Sequence, residues 1–203
     1  MSEELIRGHD RFRTSIFPEM EERFRRLVDE GQRPHTLFIG CSDSRVIPSL
    51  LTATAPGELF VVRNVGALVP PYELDQAHHG VSSAIEYAVL ILGVSDIVVC
   101  GHSHCGAIQA LYQPPPAAAE HVARWVRLAE AAKVDGPVDE ALLRRTEQRS
   151  VVVQLDHLMG FPFVAEAVDA GRLALHGWHY VVEDGALNVL DVNSGRFERH
   201  GAG

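Results

Sequence analysis

The sequence is poor in cysteine, and it lacks any apolar run long enough to cross a membrane. Its three cysteines, at positions 41, 100 and 105, are too few and too clustered for a disulfide framework. In a reducing compartment such cysteines more often bind metal or take part in chemistry. A membrane-spanning helix needs about 20 consecutive apolar residues, and no stretch of this chain approaches that length. We therefore expect neither a disulfide-stapled fold nor a membrane protein.

Basic residues are scarce as well. The chain has 18 Lys and Arg against 27 Asp and Glu, which gives a formal net charge of −9. No basic patch is available to neutralise phosphates, which argues against nucleic acid as a partner. Residues 1–4 read Met-Ser-Glu-Glu, whereas a secretory signal begins basic and continues apolar. These features predict a cytoplasmic protein.

The sequence does contain enough apolar residues for one substantial core, since 46% of its 203 residues are hydrophobic. We therefore predict a single domain over residues 1–203. Apolar positions at helical spacing predict one or two amphipathic helices between Ile6 and Glu30, broken by Pro18 and ended by Gly31. Residues 1–31 would then form a helical arm.

Downstream of the arm, predicted strands alternate with predicted helices. Apolar runs predict strands over 36–39, 58–63, 96–100, 173–182 and 187–192, and helices over 80–92, 117–134, 138–158 and 162–170. This alternation is typical of an α/β fold with a mainly parallel sheet flanked by helices. The last strand is expected to be antiparallel, at the C-terminal edge of the sheet. The proline-rich loop over 113–119 receives no role.

Two segments at the ends of the first and third predicted strands carry residues with metal chemistry. They read Cys41-Ser-Asp-Ser-Arg45 and His102-Ser-His-Cys105-Gly106. Ligands of parallel sheets bind beyond the carboxyl ends of the strands. Zinc prefers thiolate and imidazole, and a catalytic zinc keeps one of its four positions open. We therefore predict a zinc site with Cys41, His102 and Cys105 as ligands, while Cys100 is expected to pack in the core.

Asp43 and Arg45 lie two residues apart beside the first ligand. A charge-assisted, bidentate pair between them would hold the carboxylate as a hydrogen-bond acceptor for the fourth ligand of zinc. Without Arg45, Asp43 would itself become the fourth ligand in a closed form. We therefore treat Asp43 and Arg45 as candidate catalytic residues that also act as a gate. An ordinary loop ion pair is the alternative interpretation.

With both motifs in hand, the chain resembles the β-class carbonic anhydrases. The family pattern Cys-x-Asp-x-Arg followed by His-x-x-Cys is complete, and the resemblance continues through Pro56–Asn64, Ile85–Ala88 and His176–Trp178. One departure is Ala67, where the family often has asparagine.

The resemblance implies a substrate site beside the metal. Gln32, nine positions before Cys41, matches a glutamine that contacts substrate in the plant-like branch of the family. Phe60 and Tyr87 match aromatic wall positions, and Gly106 is a further substrate-binding position. The resemblance also implies one Zn²⁺ per subunit, a homodimer or homotetramer, and an arm over 1–31 that wraps a neighbouring subunit.

The function implied is the reversible hydration of carbon dioxide to bicarbonate and a proton by zinc-bound hydroxide. Two thiolate ligands predict a higher water pKa than three histidines would give, and therefore activity that rises above neutral pH. Three alternatives remain open: a carbonyl sulfide or carbon disulfide hydrolase on the same site, a catalytically silent zinc-binding protein, and a purely structural zinc. His78, His79 and His104 are candidates for the proton shuttle.

Overall fold

The computed structural model describes residues 2–75 and 78–201. Among them are six strands: β1 Thr36–Cys41, β2 Leu59–Asn64, β3 Asp96–His102, β4 Ala174–Tyr180, β5 Leu187–Asp191 and β6 Arg196–Arg199. They form one sheet in the order β2-β1-β3-β4-β5-β6. The pairs β1–β2, β1–β3 and β3–β4 are parallel, whereas β4–β5 and β5–β6 are antiparallel. The chain therefore reverses its strand order at β1, so the switch point lies between β1 and β3.

Helices cover the sheet and connect its parallel strands. They are α1 Ser2–Arg11, α2 Phe17–Asp29, α3 Pro48–Thr52, α4 Gly80–Glu86, α5 Gly106–Gln109, α6 Glu120–Trp125, α7 Glu140–Met159 and α8 Pro162–Asp169. A π-helical turn over Phe12–Ile16 joins α1 to α2, a second one over Tyr87–Leu92 extends α4, and a 3-10 helix over Val126–Ala132 follows α6. Pro18 lies in the first turn of α2, where its missing N–H leaves no hydrogen bond unmade.

The two central strands are buried because neighbours cover them on both faces. In β1, every residue from Leu37 to Cys41 is buried. Helix α7 packs directly over the sheet, since a Cβ at Gly101 would lie 2.7 Å from Cγ2 of Val151. Only glycine allows this close approach. The contact fixes α7 against the end of β3, next to the predicted metal ligands.

The α/β class and the mainly parallel sheet are confirmed, and the C-terminal part of the sheet is antiparallel as predicted. The antiparallel edge contains one strand more than expected, because β6 pairs with β5 and forms the edge itself. Its sequence, Arg196-Phe-Glu-Arg199, contains one apolar residue and therefore gives little strand signal. The third strand also continues beyond Cys100 to include His102.

The predicted arm over 1–31 is helical from Ser2 onward, and Met1 lies outside the described residues. Neither α1 nor α2 contains a buried residue. Arg23 attaches α2 to the start of β2, since its Nε donates to the Pro56 carbonyl at 2.6 Å and its Nη2 to Oε1 of Glu58 at 2.7 Å. The arm is therefore attached to the rest of the chain through a few contacts of α2, and its apolar side chains are half-buried or exposed.

Within residues 2–75 and 78–201, no single helix is long and apolar enough to cross a membrane. The helices α7 and α8 meet both requirements only when taken together, and they are bent by 94° relative to each other.

Candidate metal centre and catalytic site

The three predicted ligands meet at the carboxyl ends of β1 and β3. Cys41 is the last residue of β1, His102 is the last of β3, and Cys105 follows three residues later, just before α5. Because β1 and β3 are adjacent and parallel, their ends lie side by side. One ligand atom from each of the three residues lies within 4.8 Å of the others, and all three residues are buried. Among the described residues, no fourth Cys, His, Asp or Glu side chain belongs to this group.

The imidazole of His102 is oriented for metal binding. Its Nδ1 lies 2.8 Å from the Ser103 carbonyl oxygen, and a carbonyl only accepts hydrogen bonds, so Nδ1 carries the proton. The other nitrogen, Nε2, therefore presents a lone pair to the two thiols. It is buried and has no hydrogen-bond partner. A buried nitrogen left unpaired beside two cysteines fits a metal ligand.

The two thiols are not equivalent. A hydrogen bond from the Cys105 thiol lowers the pKa of Cys41 to about 4, against the opposing effect of burial. The backbone N–H groups of Asp43 and Gly66 also donate to Cys41 Sγ, at 3.4 and 3.3 Å. The hydrogen bond to Cys41, together with burial, raises the pKa of Cys105. Cys41 is thus prepared as a thiolate, the form that binds zinc.

Asp43 and Arg45 form the bidentate pair that their spacing predicts. Nε of Arg45 donates to Oδ1 of Asp43 at 2.9 Å, and Nη2 donates to Oδ2 at 2.8 Å. These hydrogen bonds hold the pKa of Asp43 well below its usual range. Oδ2 of Asp43 stands 4.0 Å from Nε2 of His102. The carboxylate therefore lies beside the ligand group with Arg45 holding both of its oxygens.

Arg63 is a further contact of this loop that motif reasoning did not assign. It is in β2, and its guanidinium crosses to β1, donating from Nε to the Cys41 carbonyl at 3.0 Å and from Nη2 to the Asp43 carbonyl at 2.7 Å. The carbonyls of Cys41 and Asp43 are thereby fixed. The parallel pairing of β1 with β2, which places Arg63 opposite Gly40, is the signal that identifies it.

Glu147 on α7 hydrogen-bonds the backbone of a predicted metal ligand, and sequence reasoning did not identify it. This carboxylate on α7 is only 3% exposed. Its Oε1 accepts a hydrogen bond from the Cys105 N–H at 3.2 Å, and its Oε2 lies 3.0 Å from Nε2 of the buried His179. The sequence signal for Glu147 is its place on the face of α7 that also carries Ser150, Val151 and Gln154, all of them buried. A carboxylate on a buried face needs hydrogen-bond partners.

The residue that departs from the family pattern lies directly beside the ligands. Ala67 is buried and adopts a left-handed backbone with a φ of +56°. Asparagine visits this region more readily than alanine does. The turn holds because both polar atoms of the Asn64 side chain bond to the backbone of Leu68, at 2.8 and 2.9 Å. Asn64 therefore stabilises the turn that carries Gly66 to Cys41.

The predicted substrate wall lies elsewhere in this chain. Phe60 stacks on Tyr87 with ring centroids 5.7 Å apart, but Phe60 pairs with Leu37 while Cys41 pairs with Asn64. Four residues of strand correspond to about 13 Å. Gln32 is exposed and precedes the amino end of β1. The structure therefore does not bring Gln32, Phe60 and Tyr87 to the ligands of the same chain.

The remaining sequence candidates occupy varied positions. Gly106 is exposed next to Cys105, and a Cβ there would meet no atom within 4 Å. Cys100 is fully buried, and burial raises its pKa to about 12, so it packs as a core residue. His104 pairs with Glu183 at 2.8 Å, and His79 pairs with Asp75 at 2.7 Å. The 113–119 segment is an irregular connection between α5 and α6.

Comparison with known proteins identifies the family to which this site corresponds. The family model described as carbonic anhydrase matches residues 36–187. A carbonic anhydrase from Pseudomonas aeruginosa is 45% identical over 204 residues, which covers 96% of this chain and 90% of that protein. The solved structure of the β-carbonic anhydrase CcaA superposes with a TM-score of 0.89 at 35% identity, covering 98% of this chain and 91% of that one.

A more distant structural relative gives information on assembly. It comes from a study of two tetrameric β-carbonic anhydrases of the filamentous ascomycete Sordaria macrospora, and it matches with a TM-score of 0.69 at 26% identity. The match covers 98% of this chain and 93% of that one. The likeness therefore extends over the arm as well as the sheet.

Proposed function

Because this chain belongs to the β-class carbonic anhydrases and catalyses the reversible hydration of CO₂ to bicarbonate, we propose that Asp43 and Arg45 act on substrate beside one zinc ion held by Cys41, His102 and Cys105. One observation carries the proposal. Three buried ligand atoms, including an unpaired imidazole nitrogen, converge next to a carboxylate that an arginine holds at both oxygens.

The donor set fits zinc. Two thiols and one imidazole are ligands that Zn²⁺ prefers, and a group of three leaves one of its four positions for water. When bound, zinc supplies a Lewis acid that lowers the pKa of a coordinated water toward about 7, a value established for the three-histidine carbonic anhydrases. Structural zinc sites usually have four protein ligands, so three ligands beside the Asp43–Arg45 pair favour a catalytic site.

Asp43 orients the attacking oxygen in this proposal. Oδ2, the carboxylate oxygen near His102 Nε2, would accept a hydrogen bond from the attacking water and so orient its oxygen toward the carbon of CO₂. Because Arg45 keeps the pKa of Asp43 low, the carboxylate stays an acceptor throughout the working pH range. Arg45 also prevents Asp43 from turning toward the ligands, where it would block the fourth position.

The substrate wall is proposed to come from a second copy of the chain. Gln32 would hydrogen-bond an oxygen of substrate, as in the plant-like branch, Phe60 and Tyr87 would line the apolar side, and Gly106 would border the pocket. Exposure supports this arrangement, since Tyr87 is 40% exposed in the single chain and the arm has Leu5, Ile6, Ile16 and Val28 at 50–82%. The tetrameric relatives support self-association, as a homodimer or homotetramer in which the arm wraps its neighbour.

A cytoplasmic location also remains a proposal. It is supported by the three cysteines, which are all free thiols, as expected in a reducing compartment.

The proposal for Asp43 and Arg45 is tested by stopped-flow CO₂ hydration between pH 6 and 9 on protein with quantified zinc. We expect Asp43→Ala and Arg45→Ala to retain zinc and to lose about 10²- to 10³-fold in kcat/KM. Ser44→Ala is the matched control, because Ser44 is exposed between the two residues and should leave the rate unchanged. Wild-type rates in both variants would exclude the gate. Retained zinc with no hydration in the wild type would favour a silent zinc-binding protein.

A further inference from the structure

Arg45 has a third hydrogen-bond acceptor besides the two oxygens of Asp43. Its Nη2 donates to the His104 carbonyl oxygen at 3.1 Å. His104 belongs to the loop between the ligands His102 and Cys105, so this contact joins the Asp43 loop to the second half of the metal site. The position of the guanidinium therefore depends on how that loop is held.

The backbone at His104 is unusual. Its φ is +56°, in the left-handed region that residues with a Cβ seldom adopt. A conformation of this kind persists only where the surroundings impose it. The anchor of His104 is its own side chain, whose Nε2 lies 2.8 Å from Oε1 of Glu183.

Glu183 binds two successive residues of the loop. Its Oε2 accepts from Ser103 Oγ at 2.5 Å while Oε1 faces His104. Ser103 is fully buried, and its Oγ accepts in turn from the Val182 N–H at 2.8 Å. Arg144 on α7 fixes the carboxylate from the other side, with Nη2 at 2.8 Å from Oε1. Glu183 therefore connects the turn after β4, helix α7 and the metal loop.

We propose that Glu183 is a positioning residue for Arg45. By holding Ser103 and His104, it fixes the carbonyl that gives Arg45 its third acceptor, and it thereby keeps Arg45 paired with Asp43. Glu183 contacts neither the ligand atoms nor Asp43 among the described interactions, so it acts on them indirectly, through the loop and through the attraction between its charge and that of Arg45. The inference rests on the proposed role of Asp43 and Arg45.

The test compares Glu183→Ala and Glu183→Gln with Asp184→Asn on zinc-loaded, metal-quantified protein. Asp184 is the matched control, because it is an acidic residue in the same turn but pairs with Arg199, away from the loop. We expect Glu183→Ala to reduce kcat/KM at pH 7 by about 10- to 100-fold, Glu183→Gln to lose less, and the control to stay at the wild-type rate. An Asp43 released from Arg45 would compete with hydroxide for the fourth coordination position of zinc. The rate of Glu183→Ala should therefore recover as the pH rises.

Hydrogen–deuterium exchange supplies a readout that does not depend on activity. If Glu183 acts through Arg45, Glu183→Ala accelerates exchange in residues 43–46 as well as in residues 103–105. Faster exchange confined to 103–105, with an unshifted pH profile, would overturn the proposal by showing that Glu183 serves only its own loop. A wild type without CO₂ hydration would instead refute the function proposed above, and the exchange result would still decide the role of Glu183.

Discussion

The metal-binding edge of the sheet and the aromatic wall differ in how complete they are within one chain. At the carboxyl ends of β1 and β3, three ligand atoms are buried together and further residues hold them in place. Near the amino end of β2, Phe60 and Tyr87 stack on each other with Tyr87 partly exposed, and Gln32 makes no described hydrogen bond. One chain supplies every residue of the metal-binding edge, whereas the aromatic wall keeps exposed surface in the single chain.

The difference corresponds to two tasks of the protein, metal binding and the formation of a substrate wall. Metal binding requires donor atoms placed to a fraction of an ångström, which is best achieved within one rigid sheet. A substrate wall requires apolar surface and one polar contact, and a neighbouring subunit can supply both. If this division holds, loss of a metal ligand should disable a chain by itself, whereas a defect in the wall should be repaired by a neighbouring chain.

Removing a ligand tests whether the metal edge is complete in one chain. We expect Cys41→Ala to abolish zinc binding and to lower CO₂ hydration by about 10³-fold or more, because two ligands hold zinc poorly. Zinc content by mass spectrometry and stopped-flow rates provide the measurement. Cys100→Ala is the control, since that cysteine is equally buried but lies outside the ligand group. A control that also lost zinc would contradict the assignment of the three ligands.

Mixing two defective chains tests whether the wall acts across subunits. Gln32→Ala alone should keep zinc and lose about tenfold in rate, since one substrate hydrogen bond is removed. Co-assembled with Cys41→Ala, it should recover about a quarter of the wild-type activity, because half of randomly mixed dimers contain one site with intact zinc and an intact wall. Activity that stays at the average of the two parents would place Gln32 in its own chain's site.

The attachment of the arm gives the smallest effect and depends on pH. A hydrogen bond from the Ala55 N–H and the pair with Arg23 hold the pKa of Glu58 below its usual range. A lowered folded pKa means that the stabilisation is present above the unfolded value of about 4.3 and disappears as the pH falls through the folded one. Hydrogen exchange of residues 2–29 should therefore be a few-fold faster in Glu58→Gln than in wild type at pH 6.

As the pH falls, the ratio of the two exchange rates should approach one, because wild-type Glu58 also becomes protonated once the pH passes its lowered pKa. Glu21→Gln serves as the control, since Glu21 pairs with Arg25 inside α2 and does not attach the arm to the sheet. A Glu58→Gln effect that stayed unchanged down to the lowest pH at which the protein remains folded would show that the carboxylate charge has no part in holding the arm.

Much of the fold was predictable because its signals are local. The apolar runs at 36–39 and 96–100 identified the two central strands, and the two motifs that follow them identified the ligands. The strand β6 was missed because pairing, and not burial, stabilises its four residues. Glu147 lies on a helix, and its partner Cys105 is 42 residues away in sequence, so only the three-dimensional packing reveals the contact.

The position of the wall was beyond sequence reasoning for a different reason. The resemblance assigned Gln32, Phe60 and Tyr87 by matching positions, and matching carries no information on which copy of the chain supplies them. The register of β2 on β1 adds a distance within one chain, because it places Phe60 four residues from the strand end where the ligands of that chain lie.

The strand β6 has a consequence for how the protein behaves at high concentration. As the last strand of the sheet, it presents unpaired backbone groups that another chain can extend into a fibril-like ladder. Its brevity and its three charged residues, Arg196, Glu198 and Arg199, oppose such growth. Charge placed at an exposed edge is a common protection against aggregation, so β6 keeps the more apolar β5 from serving as a template.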